Sequence, residues 1–124
     1  MGERTQYAPG TFSWTDLTTT DQDAAKAFYG SLFGWSFQQA PNGMPYWLHT
    51  PDGEVGAGVG AAPEGPGHAT FYVAVDDPQA ALDKVSELGG QTVVPITEME
   101  MVTFAMFTDP EGHLVGIIKN QPPA

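Results

Sequence analysis

The sequence predicts an α+β fold built from two paired βαβββ modules around a concave cavity. Three observations predict it. Asp21-Gln22-Asp23-Ala24-Ala25 recurs as Asp77-Pro78-Gln79-Ala80-Ala81, and Leu32 and Gly34 recur as Leu88 and Gly90, all at an offset of 56 residues. Each copy carries one stretch of helical apolar period, flanked by short runs that read as strands. The chain is 124 residues long, which is room for a single domain over 1–124 with one core. A short chain made of two similar units has a pseudo-two-fold plan, and the cleft between the units is its natural site.

The first module covers about residues 10–59. Phe12 to Thr18 alternates, with Phe12, Trp14 and Asp16 on one face, and reads as a strand. Thr20 or Asp21 caps the helix that follows, and acids stand in its first turn, where the helix dipole favours them. Ala25, Phe28, Tyr29 and Leu32 form its apolar stripe, and Gly34 stops it. Trp35 to Gln39, Met44 to His49 and Glu54 to Val59 read as three strands, separated by turns at Pro41-Asn42-Gly43 and Pro51-Asp52-Gly53.

Residues 60–67, Gly-Ala-Ala-Pro-Glu-Gly-Pro-Gly, have no periodicity and read as a linker. The second module, about 68–119, repeats the order. His68 to Val75 is a strand. Asp77 caps a helix with Pro78 in its first position, and Ala81, Val85 and Leu88 form its buried stripe before Gly89-Gly90. Gln91 to Val94, Val102 to Thr108 and His113 to Ile118 are strands, with Asp109-Pro110-Glu111-Gly112 turning between the last two. Glu98-Met99-Glu100-Met101 reads as an exposed loop or cavity edge, its methionines an adaptable lining. The Gln-Pro-Pro-Ala tail is expected to fray. One helix covers one face of each four-stranded sheet, which leaves the concave face to line a cavity.

Composition excludes several functions. Fifteen acids face four bases, for a formal net charge of −11. Nucleic acid and anionic membrane are therefore excluded as expected partners, since no cluster of Lys and Arg exists to meet phosphate. A cationic or neutral small molecule suits this charge. With no cysteine there is no disulfide, thiolate metal site or Cys nucleophile. The absence of an apolar h-region or a membrane-length apolar run makes cytoplasmic residence the expectation.

The Asp before an Ala-rich helix, Phe28-Tyr29, Leu32-Phe33-Gly34-Trp35 and the closing Asp109-Pro110-Glu111-Gly112 together resemble the vicinal oxygen chelate superfamily. That superfamily includes glyoxalase I, extradiol dioxygenases, and fosfomycin and bleomycin resistance proteins. The resemblance covers roughly residues 10–119 and implies a glyoxalase/bleomycin-resistance-type fold that commonly pairs as a homodimer. Trp14 and Leu-Phe-Gly-Trp are similar to an actinobacterial glyoxalase-like subgroup that often carries two such domains in tandem, of which this chain would be one.

The resemblance also implies where a divalent ion would be held. Ligands come from the first and last strand of each module, seven residues before the helix-leading Asp and four beyond the turn Gly. Those positions here are Trp14, Ala57, Thr70 and Gly116. None supplies imidazole or carboxylate. The expectation is accordingly no metal and no cofactor. A displaced Asp16–His49–His68 set would require a rearranged sheet. His68 reads as a strand-start residue and His113 as a turn residue.

The same strand parity puts Phe12, Trp14, Asp16, Trp47, His49 and Ala57 on the cavity side of the first module. In the second it puts Thr70, Tyr72, Phe104, Met106, Leu114 and Gly116 there. Of these, Trp14, Asp16, Trp47, His49, Thr70, Tyr72, Phe104 and Met106 are the expected ligand-binding residues. An aromatic lining with few polar groups is what a small-molecule pocket uses. The leading expectation is metal-independent binding of a small hydrophobic or cationic molecule. One alternative is a glyoxalase-like lyase, isomerase or oxygenase with Asp16 or His49 as acid–base group. Another is a partner-binding module with a vestigial cavity.

Overall fold

The computed structural model describes residues 8–51, 55–62, 67–99 and 102–120. The turn residues 52–54, linker residues 63–66, Glu100-Met101 and the tail 121–124 lie outside them. Two compact units emerge: 14–69, and 8–13 with 70–120 among the described residues.

In the first unit, β1 (Phe12–Thr19) leads into α1 (Gln22–Phe33). Three strands follow: β2 (Gln38–Gln39), β3 (Trp47–His49) and β4 (Gly56–Ala61), with a short 3-10 turn at Pro41–Gly43. The sheet order is β2-β3-β4-β1, with β1 and β4 parallel and the other pairs antiparallel. Asp21 caps α1 by accepting the Ala24 N–H at 3.0 Å. Gly34 ends it in the left-handed conformation at φ 75°, donating its N–H to Gly30 O. Gln22 ties the start of the helix to the sheet through Nε2, which donates to Val59 O and Pro45 O.

The second unit repeats this plan with β5 (His68–Val75), α2 (Pro78–Glu87), β6 (Gln91–Glu98), β7 (Thr103–Thr108) and β8 (Leu114–Lys119). Its order is β5-β8-β7-β6, again with the first and last strands parallel. Asp77 caps α2 through the Ala80 N–H, with Pro78 in the first turn. Residues 8–13 belong to this unit because they bond along β5: Gly10 N–H donates to Ala74 O, and Ala74 N–H to Thr11 O, both at 2.9 Å. By the same logic His68 sits with the first unit, where its N–H donates to Thr18 Oγ1.

The helix faces correct the sequence reading. On α2 the buried residues are Pro78 and Leu82, while Leu88, expected in the stripe, closes the helix exposed. Leu82, Ala105 and Ile117 form the core of this unit, backed by Val73, Val75, Ala81, Ile96 and Phe107. On α1 no residue is buried, and the expected stripe residues Phe28 and Leu32 are 60% and 58% exposed. The repeat explains the difference. The position of Leu82 is held by Lys26 in the first unit. Its side chain is only 20% exposed, and its ammonium lies 3.2 Å from the centroid of the Trp47 ring. A cation over an aromatic face anchors α1 where an aliphatic side chain anchors α2.

Candidate functional site

Register decides which side chains of the first unit share a face, because directly paired residues point the same way. Trp14 pairs with Gly56, Asp16 with Gly58 and Thr18 with Gly60. These glycines make a flat floor. A methyl group at Gly58 would collide with Tyr46 Oη, one at Gly56 would lie 2.5 Å from the Trp14 ring, and Gly60 lies under the Tyr46 ring edge. Trp14 Nε1–H donates to Tyr46 Oη at 2.8 Å, and Tyr46 Oη–H donates to Asp16 Oδ1 at 2.7 Å. The proton direction is unambiguous: an indole only donates and a carboxylate only accepts. All three side chains are half-buried.

Tyr46 is the residue that the strand parity missed. The signal for it was present in Gly56-Ala57-Gly58-Val59-Gly60. Alternating glycine on a strand marks the side where something bulky approaches the backbone.

Trp47, His49 and Ala57 require correction as partners of Trp14 and Asp16. Ala57 pairs with Thr15 and with His49, and Trp47 pairs with Val59. They therefore lie on the opposite face, the one that carries α1. The cause is a one-residue difference in phase, which moves every side chain of a strand to its other side. His49 stacks on Trp35 with centroids 4.9 Å apart and planes 14° apart, and its Nδ1 is 3.2 Å from Ser36 O. Trp47 is covered by Lys26.

The second unit keeps its expected face together. Tyr72 and Met106 both pair with Gly116, and Phe104 pairs with Ile118. The Tyr72 ring lies against Gly116, Tyr72 Oη–H points to Met106 Sδ at 3.7 Å, and Phe104 meets Tyr72 edge-on at 6.3 Å. Thr70 Oγ1–H donates to Leu114 O at 2.6 Å, so its hydroxyl proton is used within the sheet.

The remaining imidazoles are tied locally. His68 Nδ1 is 3.3 Å from Thr18 Oγ1 at the exposed start of β5. His113 precedes β8 and is exposed, its Nδ1 3.0 Å from Asp109 Oδ2. Asp109 is held below the usual carboxylate range, chiefly by the His113 backbone N–H, against an opposing push from desolvation. The His113 ring and the Glu111 N–H add to the lowering. Asp16, His49 and His68 thus go to different partners. Among the described residues no group of three or more His, Asp or Glu side chains is placed to hold a metal ion. Nor do the residues at the four positions fit a divalent ion. Trp14 uses its only polar hydrogen on Tyr46, Ala57 and Gly116 carry no donor atom, and Thr70 is bound to Leu114.

The model of the Glyoxalase/Bleomycin resistance protein/Dioxygenase superfamily matches residues 11–117. The chain belongs to this superfamily. Among curated superfamily relatives, CFP32 of Mycobacterium tuberculosis, provisionally named a glyoxylase, is 42% identical over 94% of this chain and 48% of its own length. The anthracycline biosynthesis protein DnrV of Streptomyces peucetius is 32% identical over 87% of this chain and 46% of its own length. The chain thus spans about half the length of the curated relatives it matches. Among solved structures, methylmalonyl-CoA epimerase of Mycobacterium tuberculosis superposes with a TM-score of 0.65 at 15% identity, covering 98% of this chain and 93% of that one. A superfamily member from Vibrio splendidus 12B01 gives 0.63 at 18% identity, covering 88% and 99%. At such identities the likeness is one of α+β fold alone. Among the described residues no helix is long and apolar enough to cross a membrane.

Proposed function

We propose that this superfamily member binds a small hydrophobic or cationic molecule without a resident divalent ion. The observation that carries the reading is the Trp14–Tyr46–Asp16 set on its glycine floor. Two aromatic rings and a carboxylate on one sheet face suit a planar or positively charged ligand: the rings supply stacking and the carboxylate supplies charge. The net charge of −11 favours the same partners. Taken by itself, the second unit carries a mostly apolar face of its own, with the Tyr72 ring beside Phe104 and Met106.

A second reading is supported by the 2.7 Å bond between Tyr46 Oη and Asp16. A phenol that donates a hydrogen bond to a carboxylate is able to act with it as an acid–base pair on a small carbonyl compound. The glyoxylase and epimerase names among the relatives point the same way. In that reading Asp16, rather than His49, is the group to test.

The experiment is a thermal-shift screen of the purified protein against aromatic metabolites, cationic antibiotics and methylglyoxal adducts, paired with elemental analysis. A ligand at a hundredfold excess over its dissociation constant stabilises by about 2.7 kcal/mol. Tyr46→Phe and Asp16→Asn are expected to reduce that shift. A stoichiometric divalent ion that survives dialysis overturns the metal-free reading. An unchanged shift in both variants overturns the assignment of the face. Turnover lost in Asp16→Asn with binding retained selects the second reading.

A further inference from the structure

Within the Trp14–Tyr46–Asp16 set, Tyr46 lies outside the strands. Trp14 and Asp16 belong to β1 and pair with Gly56 and Gly58. Tyr46 stands one residue before β3, at the end of the loop that follows β2. Its main-chain bonds with Ala40 and Met44, both 2.8 Å, close that loop on itself and reach neither β1 nor β4. The phenol oxygen is at the far end of a long side chain. A small turn of the main chain carries it out of hydrogen-bond range of Trp14 and Asp16. The loop therefore has to be fixed against the glycine floor. Gln22, the first residue of α1, is placed to fix it. Its Nε2 donates to Pro45 O at 2.7 Å and to Val59 O at 3.1 Å. Both acceptors are carbonyls, so the two amide hydrogens are what faces them. The Pro45 carbonyl belongs to the peptide that enters Tyr46. The Val59 carbonyl belongs to the peptide that enters Gly60, and a methyl group at Gly60 would lie 3.1 Å from the Tyr46 ring. One side chain thus clips the main chain of Tyr46 to the strand beneath its ring.

We propose that Gln22 is a positioning residue, which holds Tyr46 so that its phenol meets Trp14 and Asp16 together. The proposal rests on the reading of that set as the ligand face. The internal repeat separates this role from service to the helix. The counterpart of Gln22, 56 residues on, is Pro78. Pro78 starts α2 behind the Asp77 cap with no amide to donate, so a helix start of this kind needs no glutamine. Nor does the ring in the second unit need a clip. Tyr72 lies within β5, where pairing with Gly116 fixes it. Glutamine stands where the ring lies outside a strand, and proline where the ring lies in one.

The same comparison supplies the variants. Asp21 has φ −138° and ψ 88°, and Asp77, which precedes a proline, has φ −132° and ψ 93°. Gln22→Pro is therefore accepted by the backbone and by the first position of a helix. It removes both donors. Gln22→Glu keeps the side-chain length and puts an acid where the helix dipole favours one, yet an ionised carboxylate has no hydrogen to give. Both changes serve the helix and deprive Tyr46 of its clip.

Nuclear magnetic resonance of the indole N–H groups in the full, nitrogen-15-labelled chain tests the proposal. Three signals are expected, from Trp14, Trp35 and Trp47. Trp14→Phe assigns the first, and Tyr46→Phe shows where it lies once its acceptor is removed. In Gln22→Pro and Gln22→Glu the Trp14 signal is expected to move toward that position, and its hydrogen exchange to quicken by about fivefold. The Trp47 signal reports that α1 is docked through Lys26, and it is expected to stay in place. An unmoved Trp14 signal overturns the proposal. So does a common shift of Trp14 and Trp47, which makes Gln22 a tie between helix and sheet and nothing more. If Gln22→Pro does not fold, Gln22→Glu decides by the same criteria. No ligand enters this measurement, so it fails or succeeds apart from the ligand reading. A Trp14 signal that moves as expected, beside ligand binding that Tyr46→Phe leaves unchanged, supports the positioning role and overturns the ligand face.

Discussion

Replacing Gly58 with alanine tests the glycine floor directly. Gly58 does not have positive φ, so alanine is allowed by the backbone. Strand alanine is in fact favoured over glycine by about 0.5–1 kcal/mol. Against that gain stands the Tyr46 hydroxyl, which occupies the space of the new methyl group. Tyr46 must move, and its bonds from Trp14 at 2.8 Å and to Asp16 at 2.7 Å are then lost together. The neutral bond contributes about 1 kcal/mol and the charge-assisted one about 2 kcal/mol. The net expectation is a loss of about 2 kcal/mol, or a melting temperature lower by about 8 °C for a domain of this size. Chemical denaturation followed by Trp fluorescence measures it. The decisive arm is a double-mutant cycle. With Tyr46→Ala in the background the obstacle is gone, and Gly58→Ala becomes neutral or mildly stabilising. A cost below about 0.5 kcal/mol in the wild-type background, or the same cost in both backgrounds, would refute the reasoning.

Other expectations follow from the second unit. Leu82→Ala removes the side chain that joins α2 to Ala105 and Ile117, and is expected to cost about 3 kcal/mol in the same denaturation assay. Asp109 has a lowered folded pKa, so its contribution to stability is complete above the unfolded value of 3.8 and is lost as pH falls through the lower folded value. In melts on the acid side, Asp109→Asn removes that limb of the profile, and an unchanged limb counts against the turn's role.

Much of the fold was legible from residues alone because local signals agreed with one another. Asp77 announced one helix start and the Thr20-Asp21 pair the other, where Asp21 is the residue that caps; both aspartates accept the cap N–H. Gly34 marked one helix end and Pro78 one helix start. The second-unit face was legible too, since Tyr72, Met106 and Gly116 follow a single phase through three strands. Burial on α1 was not legible. Periodicity tells which side chains share a stripe and not what covers the stripe. Phe28 and Leu32 line up as a core would, yet the position that anchors the helix to its sheet is Lys26, an unfavourable core residue by type.

The face of the first unit turned on a single step of phase, which ties its structure to its chemistry. Counting four residues beyond Gly53 arrives at Ala57, which pairs with Thr15 and His49. The position that matches Gly116 by pairing is Gly58: it lies opposite Asp16, as Gly116 lies opposite Tyr72, and Asp16 and Tyr72 are 56 residues apart in the repeat. Each unit thus sets an aromatic ring on a glycine of its last strand, Tyr46 on Gly58 and Tyr72 on Gly116. Each glycine leaves free the volume that its ring occupies, because a Cβ at Gly58 would collide with Tyr46 and one at Gly116 with Tyr72. What distinguishes the units is the third partner. Tyr72 turns its hydroxyl to Met106, whereas Tyr46 turns its hydroxyl to Asp16 and takes a proton donor from Trp14. Polar chemistry is concentrated on the Asp16 side, and the search for a ligand or a reaction belongs there.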